Sequence, residues 1–366
     1  MTGDFRPAVK AAHWPVRLGD DVVRIGGPLA KDIRDPDGWA WALVTRLDGT
    51  RTVRRIIAEL AAEGFGEIVG DVAAEVRADL AVLIEAGFVE NAAARPPAAL
   101  TARELDRYSR GLALWQAMDR TARVSPWEIQ EKLKSARVVV VGVGGVGGAA
   151  VLDLAQSGVG RLHLADADLV ELSNLNRQQL YVERDIGRPK VEAAVERLRA
   201  HNTDIAVTGE RLTVTGPAVL AELAAGADVL VLAADRPGRI RAWADEACGR
   251  TGTAWVHGGY RGPLIGTGTY RPGGACYACA CLAQRRREAA LPVRTPAPGR
   301  PSAPQAAAAY SAGLAGHLVA RAVLSLLTGV PELPANHEHV LNLLTLESRV
   351  IAGPALPGCP ACDSAR

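Results

Sequence analysis

The chain has 366 residues, with 42 Lys and Arg against 40 Asp and Glu, a formal net charge of +2, and 48% hydrophobic residues. That suffices for one small and one large domain with buried cores. It excludes a general nucleic-acid binder, and the lack of any run of 18 apolar residues argues against a membrane span. No signal segment is visible, so a cytoplasmic protein is expected.

In chain order, Val16–Leu18 and Val22–Ile25 read as short strands around Gly19 and Asp20. Helical patterns follow at 38–47, 53–63 and 72–86. Thr52 is placed to cap the second, and Gly87 to end the third. Strands followed by three helices suit a small winged-helix α+β domain over 1–91. A DNA-binding version wants a basic recognition helix, whereas 72–86 carries Glu75, Asp79 and Glu85 against Arg77 alone. The sequence AAARPPAAL at 92–100 marks a linker, taken as 92–103, before a second domain over 104–366.

The second domain opens on a β-branched run at 138–141, the pattern of a buried parallel strand. Gly142, Gly144 and Gly147 then make G-x-G-x-x-G, with Gly145 inside it and a helical segment at 149–156 behind. Such a loop lets backbone approach a phosphate, and the helix start offers free N–H groups. A second strand at 162–165 ends in Asp166, 24 positions after Gly142, near the spacing of a carboxylate that binds ribose hydroxyls. A dinucleotide dehydrogenase fits this far. Asn174, Arg177, Gln178 and Lys190 then add two amides and two cations. Nicotinamide chemistry needs no such clamp, whereas transfer at phosphorus does, because charge builds on phosphate oxygens.

Of six cysteines, Cys276 and Cys279 form one C-x-x-C pair, and Cys359 and Cys362 another about 80 residues on. Two such knuckles suit a tetrahedral four-thiolate zinc site, with disulfides as the alternative. Cys248 reads as a small buried residue, and Cys281 sits beside the first knuckle. The segment 287–305 is rich in Pro, Ala and Arg and holds no cysteine, so it reads as a crossover loop without a sulfur nucleophile. The apolar stretch 312–327, broken by His317 and Arg321, reads as a buried or dimer-facing helix.

The strings RYSRGL (107–112), GVGGVGG (142–148), ADAD (165–168), LSNLNRQ (172–178), DIGRPK (185–190) and AADR (233–236) resemble the ThiF/MoeB/HesA family, bacterial relatives of ubiquitin-activating enzymes. The resemblance covers roughly 104–364. It implies a Rossmann-like ThiF-type α/β fold with a zinc knuckle, and use of ATP and Mg2+ to adenylate a C-terminal carboxylate. It further implies that Asp166 holds ribose, that Asn174, Arg177, Gln178 and Lys190 hold the triphosphate, and that Asp235 coordinates Mg2+. Arg110 matches an arginine that enters the partner subunit's site, which implies a homodimer. Gly111 stands where Gln is common, and Arg236 where Asn is common, so the role of Arg236 is open.

LDGTRTV (47–53) and LIEAGFVEN (83–91) resemble the PqqD-like peptide-recognition domains. Such domains take a leader peptide as an added strand. Val22–Ile25 and the face of helix 72–86 are the candidate seats, and a purely structural cap is the alternative. The layout is similar to that of microcin-C-type peptide adenylating enzymes. The expected function is ATP-dependent adenylation of a ribosomal precursor peptide in natural-product biosynthesis, without a carrier-cysteine thioester and with a possible downstream pathway enzyme. Adenylation of a ubiquitin-like sulfur carrier and a non-catalytic leader-binding scaffold for a cyclodehydratase stand as alternatives.

Overall fold

A computed structural model describes residues 5–27, 30–289, 306–334, 336–352, 354–357, 359 and 362. Contacts divide the chain into two compact units, 1–131 and 132–366. The crossover segment expected at 287–305 lies, from 290 onward, outside the described residues.

The first unit runs β1 (Pro7–Val9), β2 (Val16–Leu18), β3 (Val22–Ile25), β4 (Lys31–Arg34), α1 (Trp39–Val44), α2 (Val53–Ala62), α3 (Gly66–Val69), α4 (Val72–Glu85), β5 (Val89–Asn91) and α5 (Ala102–Met118). Side chains set the helix starts. Thr52 accepts the Arg55 N–H, and Asp71 accepts those of Ala73 and Ala74, each satisfying donors that a first turn leaves open. Thr101 and Glu104 close a capping box on α5. Gly87 ends α4 as expected, at φ +74°, where a side chain is rarely tolerated. Val23 and Ile25 turn inward onto Leu43, Ile56, Leu60 and Leu80, all at most 1% exposed. That apolar cluster is what holds sheet and helices together.

The sheet order β2–β3–β4 corrects one expectation. Val22–Ile25 is the central strand, paired with β2 through Val16↔Arg24 and with β4 through Val23↔Ile33. Its backbone groups are used on both sides, so no peptide can add to it. Among the described residues, the free edges are β2 and β4. The segment 92–103 lies inside the first unit, and α5 groups with that unit too. Gln116 donates to Glu90 at 2.7 Å, Arg120 to the Ala86 carbonyl at 2.9 Å, and the buried Lys10 ammonium to the Asp119 carbonyl at 2.7 Å.

The helix α6 (Glu128–Ser135) leads into the second unit: β6 (Arg137–Val141), α7 (Gly145–Gln156), β7 (Arg161–Ala165), α8 (Lys190–His201), β8 (Ala206–Glu210), α9 (Pro217–Ala224), β9 (Val229–Leu232), α10 (Ile240–Thr251), β10 (Ala254–Arg261), β11 (Leu264–Tyr270), α11 (Tyr277–Ala289), α12 (Ala309–Thr328), β12 (His337–Asn342) and β13 (Ser348–Ala352). One sheet runs β13–β12–β11–β10–β9–β6–β7–β8. The strands from β8 to β10 are parallel, and β11 to β13 continue antiparallel. Val138–Val141 and β9 are buried throughout, as strands covered on both faces must be. The helices α9 and α10 cover one face over Val139, Leu230 and Trp255, while α7 and α12 cover the other.

Among the described residues, α12 is the one helix long and apolar enough to cross a membrane, with mean hydropathy 1.3, but 67% of that stretch is buried. Gly316 makes this possible: a Cβ there would lie 2.5 Å from the Ala149 Cβ, so the two helices approach backbone to backbone. The reading of 312–327 as a buried helix holds.

Candidate active site

The chain enters the sheet at β6, builds outward through β7 and β8, then returns to the other side of β6 for β9 and β10. Crevices in open α/β sheets form at such a reversal, beyond the carboxyl ends of the strands. The register fixes which residues stand there. Ala165, Val141, Leu232 and His257 lie in one row, so Asp166, Gly142 and Ala233 step off the same edge together, beside Gly258, where β10 runs on against β11 alone. A cavity of about 640 Å³ opens above them.

That cavity is lined by Gly142, Gly144, Gly145, Asp166, Asn174, Arg177, Gln178, Lys190 and Asp235, nine of the residues expected from sequence. Gly147 packs beneath it instead. A Cβ there would lie 1.8 Å from the Gly142 carbonyl, so the helix could not sit against the loop. Gly142 has φ +89°, and a Cβ would come within 2.8 Å of the Ala234 nitrogen. Gly144 begins α7 without a side-chain cap, which leaves its first-turn N–H groups for an anion. The second unit builds the cavity from its own residues. Arg110 belongs to the first unit, exposed on α5.

Each polar residue is held in a particular way. The Asp166 carboxylate accepts the N–H of Val143 at 2.8 Å and of Asp168 at 2.9 Å, which ties the glycine loop to the segment after β7. Lys190 is 6% exposed and donates to Asp168 at 2.8 Å. Asp168, the second acid of the ADAD string, thus sets where the lysine charge stands. Asn174 accepts the Glu171 N–H and closes the turn Leu172–Asn174, so part of its amide serves the backbone. Arg177 donates to the Ser173 carbonyl and to Asn176. Among the described residues the Gln178 amide oxygen is buried without a partner, a cost of about 1–3 kcal/mol that a donor on a bound molecule would relieve. Tyr181, whose hydroxyl burial keeps protonated, donates to the Val143 carbonyl and steadies the loop from behind.

Arg241 and the strand end Gly258, Gly259 and Tyr260 also line the cavity, and sequence reading passed over them. An arginine six positions past Asp235 and a glycine pair ending an aromatic strand were the available signals. With Arg177, Lys190, Arg236 and Arg241 against Asp166, Asp168, Glu171 and Asp235, the lining carries four cations and four acids. It can therefore take an anionic ligand together with a divalent cation.

The four sulfurs of Cys276, Cys279, Cys359 and Cys362 lie within 4.8 Å of one another. Separations of 3.8, 3.5 and 3.5 Å suit four thiolates around a zinc ion, where Zn–S bonds of about 2.3 Å imply about 3.8 Å between sulfurs. None of the six cysteines is in a disulfide. Cys248 is 1% exposed, and burial pushes its thiol up to about 12, which leaves it an inert core residue.

Comparison with known proteins matches the ThiF family over residues 108–361 and the PaaA-like N-terminal domain over 21–68. The SAMP-activating enzyme E1 of Haloferax volcanii is 41% identical over 49% of this chain, which spans 63% of that relative's length. The molybdopterin-synthase adenylyltransferase of Escherichia coli is 34% identical over 72% of this chain and 99% of its own. Among solved structures, E. coli MccB with ATP superposes at a TM-score of 0.72 and 23% identity, covering 97% of this chain and 99% of MccB.

Proposed function

The chain belongs to the ThiF family, and from that premise we propose that it uses ATP to adenylate the C-terminal carboxylate of a ribosomally made precursor peptide. The observation that carries this is the single cavity in which a glycine loop, Asp166, Gln178, Arg177, Lys190 and Asp235 converge. A structure of the microcin C7 biosynthetic enzyme MccB is solved in complex with N-formylated MccA, and its fold extends over 97% of this chain. That likeness and the PaaA-like segment support a peptide substrate.

In this reading Asp166 receives the ribose hydroxyls, while the α7 start, Arg177, Gln178 and Lys190 receive the triphosphate. A carboxylate oxygen of the substrate bonds to the α-phosphorus, and the bond to the bridging oxygen breaks, so pyrophosphate leaves with the electron pair. No side chain need remove a proton, because a carboxylate is already ionised at neutral pH. A magnesium ion held by Asp235 would neutralise charge on the phosphate oxygens. Zinc at the four cysteines would have a structural role, and residues 287–305 offer no cysteine for a thioester. We assign peptide recognition to the winged-helix part, 1–91, at the free edge of β2 or β4, and catalysis to 104–366 beyond the 92–103 connection. Arg110 would complete the site of a second copy in a homodimer.

Adenylation of a ubiquitin-like sulfur carrier is the second reading, favoured by curated relatives such as the sulfur carrier protein ThiS adenylyltransferase of E. coli, 34% identical over 88% of that protein. Exchange of labelled pyrophosphate into ATP decides between them. Peptides encoded beside the gene should support exchange only with a free C-terminus, and more strongly with the leader attached. Exchange driven solely by a carrier ending in Gly-Gly would establish the second reading. Tight leader binding without ATP binding would make the chain a scaffold.

A further inference from the structure

The cavity spans four adjacent strand ends, β7, β6, β9 and β10, which at about 4.8 Å per strand is about 14 Å. The nucleotide residues proposed above occupy the β7 and β6 ends and the segment behind them, and Asp235 stands at β9. The β10 end is left over. It holds Gly258, Gly259, Tyr260 and one cation, Arg241, from the first turn of α10.

Arg241 stands over the β10 backbone at the cavity wall. One guanidinium nitrogen lies 3.1 Å from where a Cβ of residue 259 would be, so the glycine gives it room over the β10 backbone. Its positive charge acts on Tyr277 of α11 and on the Glu338 carboxylate of β12. Glu338 is itself locked, accepting from Tyr270 at 2.5 Å and bridging to His257 at 2.9 Å. That bridge crosses Gly268, where any Cβ would strike the His257 ring at 2.2 Å. Tyr277 is placed in turn by Asp245, which accepts the N–H of Tyr277 at 3.0 Å and of Ala278 at 3.1 Å and so caps α11. A guanidinium that lines an open cavity over a glycine backbone suits a planar anion.

The adenylation reading requires two anions to meet, a carboxylate and the α-phosphate. A cation on the side of Asp235 away from Asp166 answers that need. We propose that Arg241 is a substrate-binding residue: it receives the C-terminal carboxylate of the acceptor at the β10 end of the cavity and presents one oxygen to the α-phosphorus. This rests on the adenylation reading. Arg241 is then a specificity determinant, separating free acids from amides and esters.

The test uses the full-length protein and heptapeptides randomised at their last three positions, prepared both as acids and as C-terminal amides. Binding is measured with a non-hydrolysable ATP analogue present, alongside pyrophosphate exchange. Wild type should prefer the acids by about 10- to 100-fold, the value of a charge-assisted pair. Arg241→Met should abolish the preference while ATP affinity stays within about 3-fold, which also shows that the variant folds. Arg241→Lys should retain part of the preference. Equal losses of ATP and acid affinity in Arg241→Met would make Arg241 a phosphate ligand and overturn the assignment. Unchanged discrimination in that variant, with wild type still catalysing exchange, would overturn the assignment and leave adenylation standing. A wild type that binds ATP, ignores the acid and never exchanges would remove the adenylation reading and this assignment together.

Discussion

At the scale of single residues, the cavity separates charge from geometry. Lys190 brings a charge, but its pairing with Asp168 decides where that charge is felt. Asp235 has a different position: it stands three residues past the end of β9, is exposed in the cavity, and offers a carboxylate next to the glycine loop. Asp235→Ala should reduce pyrophosphate exchange by at least about 10²-fold, the scale on which removing one charge-stabilising contact slows transfer reactions. ATP binding in the absence of magnesium should be nearly unchanged. Near-normal exchange would take Asp235 out of the site.

Among elements, the four cysteines join the start of α11 to the chain after β13, across more than 80 residues of sequence. A bound zinc ion would close that loop and fix the start of α11. Purified protein should contain about one zinc per chain, and Cys279→Ser should lose it and unfold several degrees lower. Each kcal/mol lost shifts the midpoint of a domain this size by about 2–4 °C. An unchanged zinc content would argue against a four-thiolate site. The winged-helix part carries a lesson of its own. Its strands Val16–Leu18 and Val22–Ile25 and the Thr52 cap stood in the sequence, but which strand is central did not. Alternating apolar residues fix a face; they say nothing about neighbours, because pairing depends on chain folding far from the strand.

For the whole molecule, each unit buries a histidine. His13 is fully buried in the first unit and His337 is 4% exposed in the second. Burial lowers both pKa values, and the charges of Arg120 and Arg321, respectively, add to that. The unfolded chain therefore binds more protons than the folded one below about pH 6.5. Stability should be complete above that pH and fall as pH drops through it. Thermal midpoints at pH 7.5 and 5.5 check this, and His13→Leu should lessen the difference. If Arg110 serves a partner's site, Arg110→Ala and Asp235→Ala should each be inactive alone. Mixed as dimers they should regain about a quarter of wild-type exchange, since half the dimers would carry one intact site. No recovery would mean that sites are not shared.

The sequence alone determined the features that a few contiguous residues decide. The glycine loop, the acid ending the second strand, the helix caps and the two C-x-x-C knuckles are local, because backbone conformation and capping act over one or two turns. The run at 138–141 marked a buried parallel strand, and the α/β class followed from the family resemblance of the strings around it. The tertiary structure decided what depends on register and topology. It made β3 central, grouped α5 with the first unit, paired Lys190 with Asp168, and brought Arg241, Tyr277, Glu338 and Gly259 together from four separate elements. No local pattern marks such a set, because each of its residues has an ordinary reading until the sheet places them side by side.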